Sequence, residues 1–192
     1  APMLLRTTWH ACRAAAVACG LLLAGASVSP LAAQDSTRPE RPRAAPSDVE
    51  SPEAIVAAVY DVISGAAAEE RDWERFRSLF RPEGRLVPSG RGPSGEAGYQ
   101  VLTVDEYVGS ASKAFSKQGF FEREARAEIE RFGDIAHVFS TYESRRSLDD
   151  AEPFQRGINS FQLWFDGDRW WILHVLWHAE REGAPIPDEY GG

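Results

Sequence analysis

The run from Phe154 to Glu180 (FQRGINSFQLWFDGDRWWILHVLWHAE) constrains the fold more than any other part of the chain. Two stretches rich in β-branched and aromatic residues flank Asp166-Gly167-Asp168, a turn signal, so the segment predicts a β-hairpin. The second stretch, Trp170 to Glu180, is apolar on both faces. A strand of that kind needs cover on both sides, from helices, a second sheet or a partner chain.

The elements before the hairpin are helices first and strands second. Ser51-Pro52-Glu53 suits a helix start, with Ser51 as N-cap, Pro52 at the first position and Glu53 at the positive end of the dipole. Ile55, Val56, Val59, Tyr60, Val62 and Ile63 then form an apolar face at helical spacing. A second short helix is expected over Asp72–Phe80, with Trp73, Phe76, Leu79 and Phe80 inward and Pro82 and Gly84 ending it. Leu86-Val87-Pro88 reads as a short strand, and the glycine-rich segment 89–98 as a loop without the lysine or frame of a phosphate-cradling motif. Thr103 and Glu106 make a capping box for a third helix, which carries Tyr107, Val108 and Phe115 and ends at Gly119. Strands follow over Phe120–Phe132 and Ile135–Arg146, with Gly133-Asp134 as the turn between them. Segregated helices and a meander of long antiparallel strands predict an α+β fold.

The N-terminus has the layout of a secretory signal peptide. Arg6 and Arg13 precede an apolar run from Ala14 to about Val28, and Ser29-Pro30-Leu31-Ala32-Ala33 offers small residues for cleavage. Residues 1–33 are assigned to this signal and 34–50, proline-rich and charged, to a disordered linker. The folded domain is expected over 51–190. Cys12 and Cys19 both fall in the signal segment, so the exported form would hold no disulfide and no thiolate site. The chain carries 21 Lys+Arg against 29 Asp+Glu; removing Arg6 and Arg13 with the signal leaves 19 against 29. That acidic balance argues against nucleic acid or an anionic membrane as partner.

Several motifs resemble one superfamily. Arg131-Phe132-Gly133-Asp134-Ile135-Ala136-His137-Val138, then Ser140-Thr141-Tyr142-Glu143-Ser144-Arg145, Arg156-Gly157-Ile158-Asn159-Ser160, Trp170-Trp171-Ile172 with Trp177, and Ile186-Pro187-Asp188-Glu189-Tyr190 resemble an exported bacterial branch of the nuclear transport factor 2-like, or SnoaL-like, superfamily. The resemblance spans Ser51 to Tyr190. It implies a cone-shaped, curved antiparallel sheet closed by three N-terminal helices, with a pocket at the open end. It also implies a homodimer packed through outer sheet faces. No catalytic motif of a characterised branch carries over, and the superfamily holds isomerases, dehydratases, cyclases, hydrolases and non-catalytic domains.

Candidate site residues come from strand alternation. On the last strand, Trp171, Leu173, Val175, Trp177 and Ala179 would share one face, and Trp170, Ile172, His174, Leu176, His178 and Glu180 the other. His174 and His178 lie about 13 Å apart on a strand, too far to chelate one metal, so no metal site is assigned. His174 is a candidate general base, and so is Glu143 if desolvation raises its pKa. The competing readings are a histidine packed between tryptophans and a surface charge ladder of Glu143 with Arg145. Tyr60, Trp73, Tyr142, Asn159, Gln162, Trp164, Trp177 and His178 are the candidate ligand-binding residues, with core packing or backbone satisfaction as their alternatives. Glu122, Glu124, Arg126, Glu128 and Glu130 read as one solvated strand face.

These features describe an exported domain that binds a small, largely apolar molecule in an aromatic-lined pocket, with no cofactor assigned. Two alternatives stay open. One is an isomerase, dehydratase or hydrolase using a His or Glu base; the other is a dimeric assembly domain.

Overall fold

The computed structural model describes residues 43–191. The expected signal segment lies outside the described residues, as does most of the expected linker. The last residues of that linker are not linker. Pro46–Val49 form a helical turn, α1, in which Val49 is buried and the Asp48 carboxylate takes two hydrogen bonds from Arg75, at 2.8 and 2.9 Å.

The helices begin where side chains satisfy their first N–H groups. Helix α2 (Pro52–Ile63) is capped by the Ser51 hydroxyl, which accepts from the Ala54 N–H at 3.1 Å. Helix α3 is shorter than its pattern, Trp73–Ser78, because Phe80 already belongs to a strand. Its cap is Asp72, accepting from the Arg75 N–H. After the strands β1 (Phe80–Arg91), β2 (Ala97–Tyr99) and β3 (Leu102–Thr103), helix α4 (Val104–Phe115) opens on the Thr103/Glu106 capping box. The expected glycine loop is thus partly a hairpin of β1 and β2. Strands β4 (Phe121–Phe132), β5 (Ile135–Arg145), β6 (Gln155–Phe165) and β7 (Trp170–Ala179) form the meander, and a helical turn, α5 (Asp188–Gly191), ends the described chain.

The sheet order is β2-β1-β7-β6-β5-β4, with β3 paired to β1. A wholly antiparallel sheet was the expectation, and the structure corrects it: β1 runs parallel to β7, so the curved, open sheet is mixed. The reason is the crossover through α4, which returns the chain at the far edge and lets the meander finish beside β1. Ile55, Phe76, Phe80, Phe161, Leu163 and Ile172 are almost wholly buried and belong to one apolar cluster between helices and sheet.

Two β-bulges decide which side chains face that cluster. In β4, Glu124 pairs with Tyr142 and Arg126 with Thr141, leaving Ala125 as an extra residue. In β7, Ile172 pairs with Leu163 and His174 with Gln162, leaving Leu173 extra. An extra residue shifts the period-two alternation by one, so side chains before and after it exchange faces. The face assignments made from strict alternation therefore fail at both places. In β7 the inner set is Trp170, Ile172, Val175 and Trp177, and His174 points outward with Leu176 and His178.

The outer face of β5–β7 is partly covered by the C-terminal segment. Thr141 Oγ1 donates to the Tyr190 carbonyl at 2.6 Å, Arg156 Nη2 to the Gly191 carbonyl at 2.8 Å, and the Phe139 and Tyr190 rings meet edge-on. Some of the cover that the two-faced strand demands is supplied by its own chain. Helix α4 carries part of the wall described below, and its start depends on a reciprocal cap. Thr103→Ala should lower stability by about 1 kcal/mol, seen as a lower urea midpoint with an unchanged slope.

Candidate functional site

Between the inner face of the sheet and the helices lies a cavity of about 410 Å³. That is within the size range of small-molecule sites. Its walls are mainly apolar and rich in aromatic rings: Phe76 from α3, Tyr107 and Phe115 from α4, Tyr142 from β5 and Trp177 from β7 all line it. Among the described residues Glu122 is the one charged residue in the lining, joined by the amides of Gln100, Gln155 and Asn159 and by Ser110.

Glu122 faces inward because of the Ala125 bulge. The residues after the bulge, Arg126, Glu128 and Glu130, point out, where Glu128 pairs with Arg126 and Glu130 approaches His137. The inward carboxyl is held by two donors. Ser144 Oγ–H gives it a hydrogen bond at 2.7 Å and Asn159 Nδ2–H another at 3.3 Å. Burial outweighs both and pushes its pKa up to about 7. Glu122 keeps partial access because it lines the cavity, yet protein encloses the carboxyl itself.

A directed chain of hydrogen bonds runs behind this group. Ser140 Oγ–H donates to Glu124 at 2.7 Å, so the Tyr60 hydroxyl, 2.7 Å from Ser140 Oγ, donates to Ser140. The Tyr60 oxygen then accepts from Asn159 Nδ2 at 3.1 Å. This order fixes the amide of Asn159 with its N–H groups toward both Tyr60 and Glu122. Burial raises the pKa values of Tyr60, Tyr107 and Tyr142, and the nearby Glu122 charge raises them further. All three therefore stay neutral phenols at ordinary pH. Gly157 opposite Tyr142 is a required small residue, since a Cβ there would lie 2.5 Å from the Tyr142 hydroxyl and 2.4 Å from the His178 carbonyl.

The structure sorts the sequence-predicted residues into two sets. Tyr142, Asn159 and Trp177 come together in the cavity wall, with Tyr60 one hydrogen bond behind Asn159. Trp73 is a further layer back, stacked on Phe115 at 6.2 Å. Gln162, Trp164, His174, His178 and Glu143 are all on the outer face, away from the cavity, as the register with their neighbours requires. His178 Nδ1 lies 3.0 Å from Ser89 Oγ, and Arg81 sits over the Trp164 ring. Glu143 is held well below the usual carboxylate range by hydrogen bonds from Arg123 and Arg145, the reverse of the shift a general base needs. Glu122 was missed because it was grouped with a solvated face. No local signal separates it, because the alternation Glu122, Glu124, Arg126, Glu128, Glu130 is unbroken in the sequence and only the pairing with β5 shows the extra residue. Among the described residues, no three His, Cys, Asp or Glu side chains converge where a metal ion could be held.

Comparison with known proteins gives a fold. A protein with a cystatin-like fold from Caulobacter vibrioides is 13% identical, with a TM-score of 0.51 over 70% of this chain and 91% of that one. A cystatin-like protein of unknown function from Nostoc punctiforme is 13% identical, with a TM-score of 0.50 over 67% and 87%. A candidate dehydratase of the NTF2-like family from Streptomyces avermitilis is 16% identical, with a TM-score of 0.50 over 68% and 94%. The chain has the NTF2-like, cystatin-like fold. No protein-family model matches the sequence, and no curated protein matches it significantly.

The buried carboxyl makes stability depend on pH with a definite sign. The folded chain holds the Glu122 proton up to about pH 7, whereas the unfolded chain releases it near 4.5. Between those values the folded state binds more protons, so this contribution stabilises below about 4.5 and is lost as pH rises through 7. Glu122→Gln, which stays neutral, should gain on the native chain by about 3 kcal/mol over that interval. Urea denaturation of both chains across the pH range measures the difference.

Proposed function

We propose that the protein is an exported domain whose cone, closed by α2, α3 and α4, holds a small, largely apolar molecule. The observation that carries the reading is the aromatic cavity with a single carboxyl set into its wall. Such a site gains most of its affinity from buried apolar area and uses a few polar groups to fix orientation. Trp177, Tyr107, Tyr142 and Phe115 supply the area, while Glu122, Asn159 and the tyrosine hydroxyls supply the orientation. The layout of residues 1–33 supports export.

A second reading is favoured by Glu122 itself. A carboxyl poised near neutrality, beside amide and hydroxyl donors in a site shielded from water, suits proton transfer. In that reading Glu122 takes a proton from the bound molecule and returns it at another atom or to a leaving group, while Tyr107 or Tyr142 steadies developing charge on oxygen. Isomerisation, dehydration and hydrolysis all fit that role. The candidate dehydratase shares the fold, and fold alone does not transfer its reaction.

The test is native mass spectrometry of the chain with a panel of small apolar compounds. Binding should weaken by about tenfold or more in Trp177→Ala, consistent with losing about 1.4 kcal/mol or more of aromatic contact. It should be unchanged in Leu176→Arg on the outer face. The opposite pattern would move the site to the outer face and reject the cone.

A further inference from the structure

The charge inventory of the cavity narrows the ligand class. We propose that the cavity is a site for a small organic amine, bound as its ammonium form against the Glu122 carboxylate and within the aromatic walls. This rests on the reading of the cone as the ligand site and adds the chemistry of what enters it.

Among the described residues, those lining the cavity include one carboxyl and no lysine, arginine or histidine. An anionic ligand would have to lose its water beside Glu122 without any countercharge, which is prohibitive. A neutral ligand leaves Glu122 either protonated or as an unpaired buried charge. An ammonium group turns that cost into a pair whose remaining hydrogen bonds are already made.

The protein groups around Glu122 are arranged for its anionic form. Both of its partners, Ser144 Oγ and Asn159 Nδ2, are donors. The donor direction at Asn159 is imposed from outside the cavity, by the sequence Asn159 to Tyr60 to Ser140 to the exposed carboxylate Glu124. The titratable groups that face Glu122 are Tyr60 from α2, Tyr107 from α4 and Tyr142 from β5, with Glu124 on its own strand, and none is a cation.

The walls complement a cation as well. Aromatic faces attract organic ammonium groups when water is excluded. Tyr107 and Tyr142 line the cavity, and among the described residues their hydroxyls have no hydrogen-bond partner, so two neutral oxygens are free to accept the remaining ammonium N–H groups. The acidic net charge of −8 draws cations toward the molecule.

Binding has a proton signature. An amine arriving as ammonium at a protonated Glu122 displaces that carboxyl proton to solvent, so one proton leaves for each amine bound. The amine's affinity should therefore rise about tenfold per pH unit up to about pH 7 and level off above it.

The probes are 2-phenylethylamine and its neutral isostere 2-phenylethanol, compared by isothermal titration calorimetry on the full chain. The amine should bind about tenfold or more tightly at about pH 8, an advantage of about 1.4 kcal/mol that disappears toward pH 5. Repeating the native-chain titration in buffers of different ionisation enthalpy at about pH 6 should show release of close to one proton. In Glu122→Gln the difference between the probes should vanish. Equal binding of amine and alcohol, or amine binding without proton release, overturns the ammonium site and leaves the cone reading standing. Failure of both probes to bind counts against the cone itself.

Discussion

The burial of the Glu122 carboxyl depends on one extra residue in a strand. Ala125 opposes no partner in β5, and the half-period it inserts turns Glu122 toward the cavity and Glu124, still exposed, to the same side, while Arg126, Glu128 and Glu130 point the other way into water. Everything chemical about the cavity follows from that turn. The desolvation that brings Glu122 near neutrality, the donors Ser144 and Asn159 that answer it, and the chain through Tyr60 and Ser140 to Glu124 all require this carboxylate on the inner face. β-Bulges re-aim side chains next to functional sites, and here the bulge supplies the one charge that the described residues place in the cavity wall.

Two glutamates on neighbouring strands illustrate how far environment outweighs residue type. Glu143 faces out, meets Arg123 and Arg145, and is held strongly acidic. Glu122 faces in, meets neutral donors and aromatic rings, and keeps its proton to near neutrality. Arg123, Arg126, Arg145 and Arg156 are spent on the outer face, where they pair with Glu143, Glu128 and Glu180 and solvent shares their charge. On the inner side Arg131 lies over the Trp170 ring, but among the described residues no arginine lines the cavity, which makes its single carboxyl unusually sensitive to whatever enters.

Strand β7 links the two faces. Its inner residues, Trp170, Ile172, Val175 and Trp177, complete the core and the cavity wall. Its outer residues pack beside the hairpin of β1 and β2 and under the C-terminal segment, whose backbone is pinned by Thr141 and Arg156. The parallel contact with β1 places Pro88 beside Trp177 and Leu86 beside Val175, so the cavity wall continues across a junction between strands far apart in the chain.

Local rules were readable directly. The caps at Ser51 and Thr103, the helices they start, the four strands of the meander and the hairpin turn at Asp166-Gly167 follow from spacing and hydrogen-bond chemistry within a few residues. Tyr142, Asn159 and Trp177 line the cavity, and each sits in a stretch of strand where alternation holds. The facing of His174 and Glu122 was not legible, because one lies beside a bulge and the other three residues before one, and a bulge is chosen by how two strands pair and pack rather than by either strand's composition. The parallel partner of β1 was hidden for the same reason, since pairing across a crossover depends on where α4 returns the chain. The sequence by itself determined the elements, their order and the aromatic supply for a cavity. Only the tertiary structure decided which carboxylate is buried there, since the cost of burying a charge depends on neighbours brought together from five separate elements of the chain.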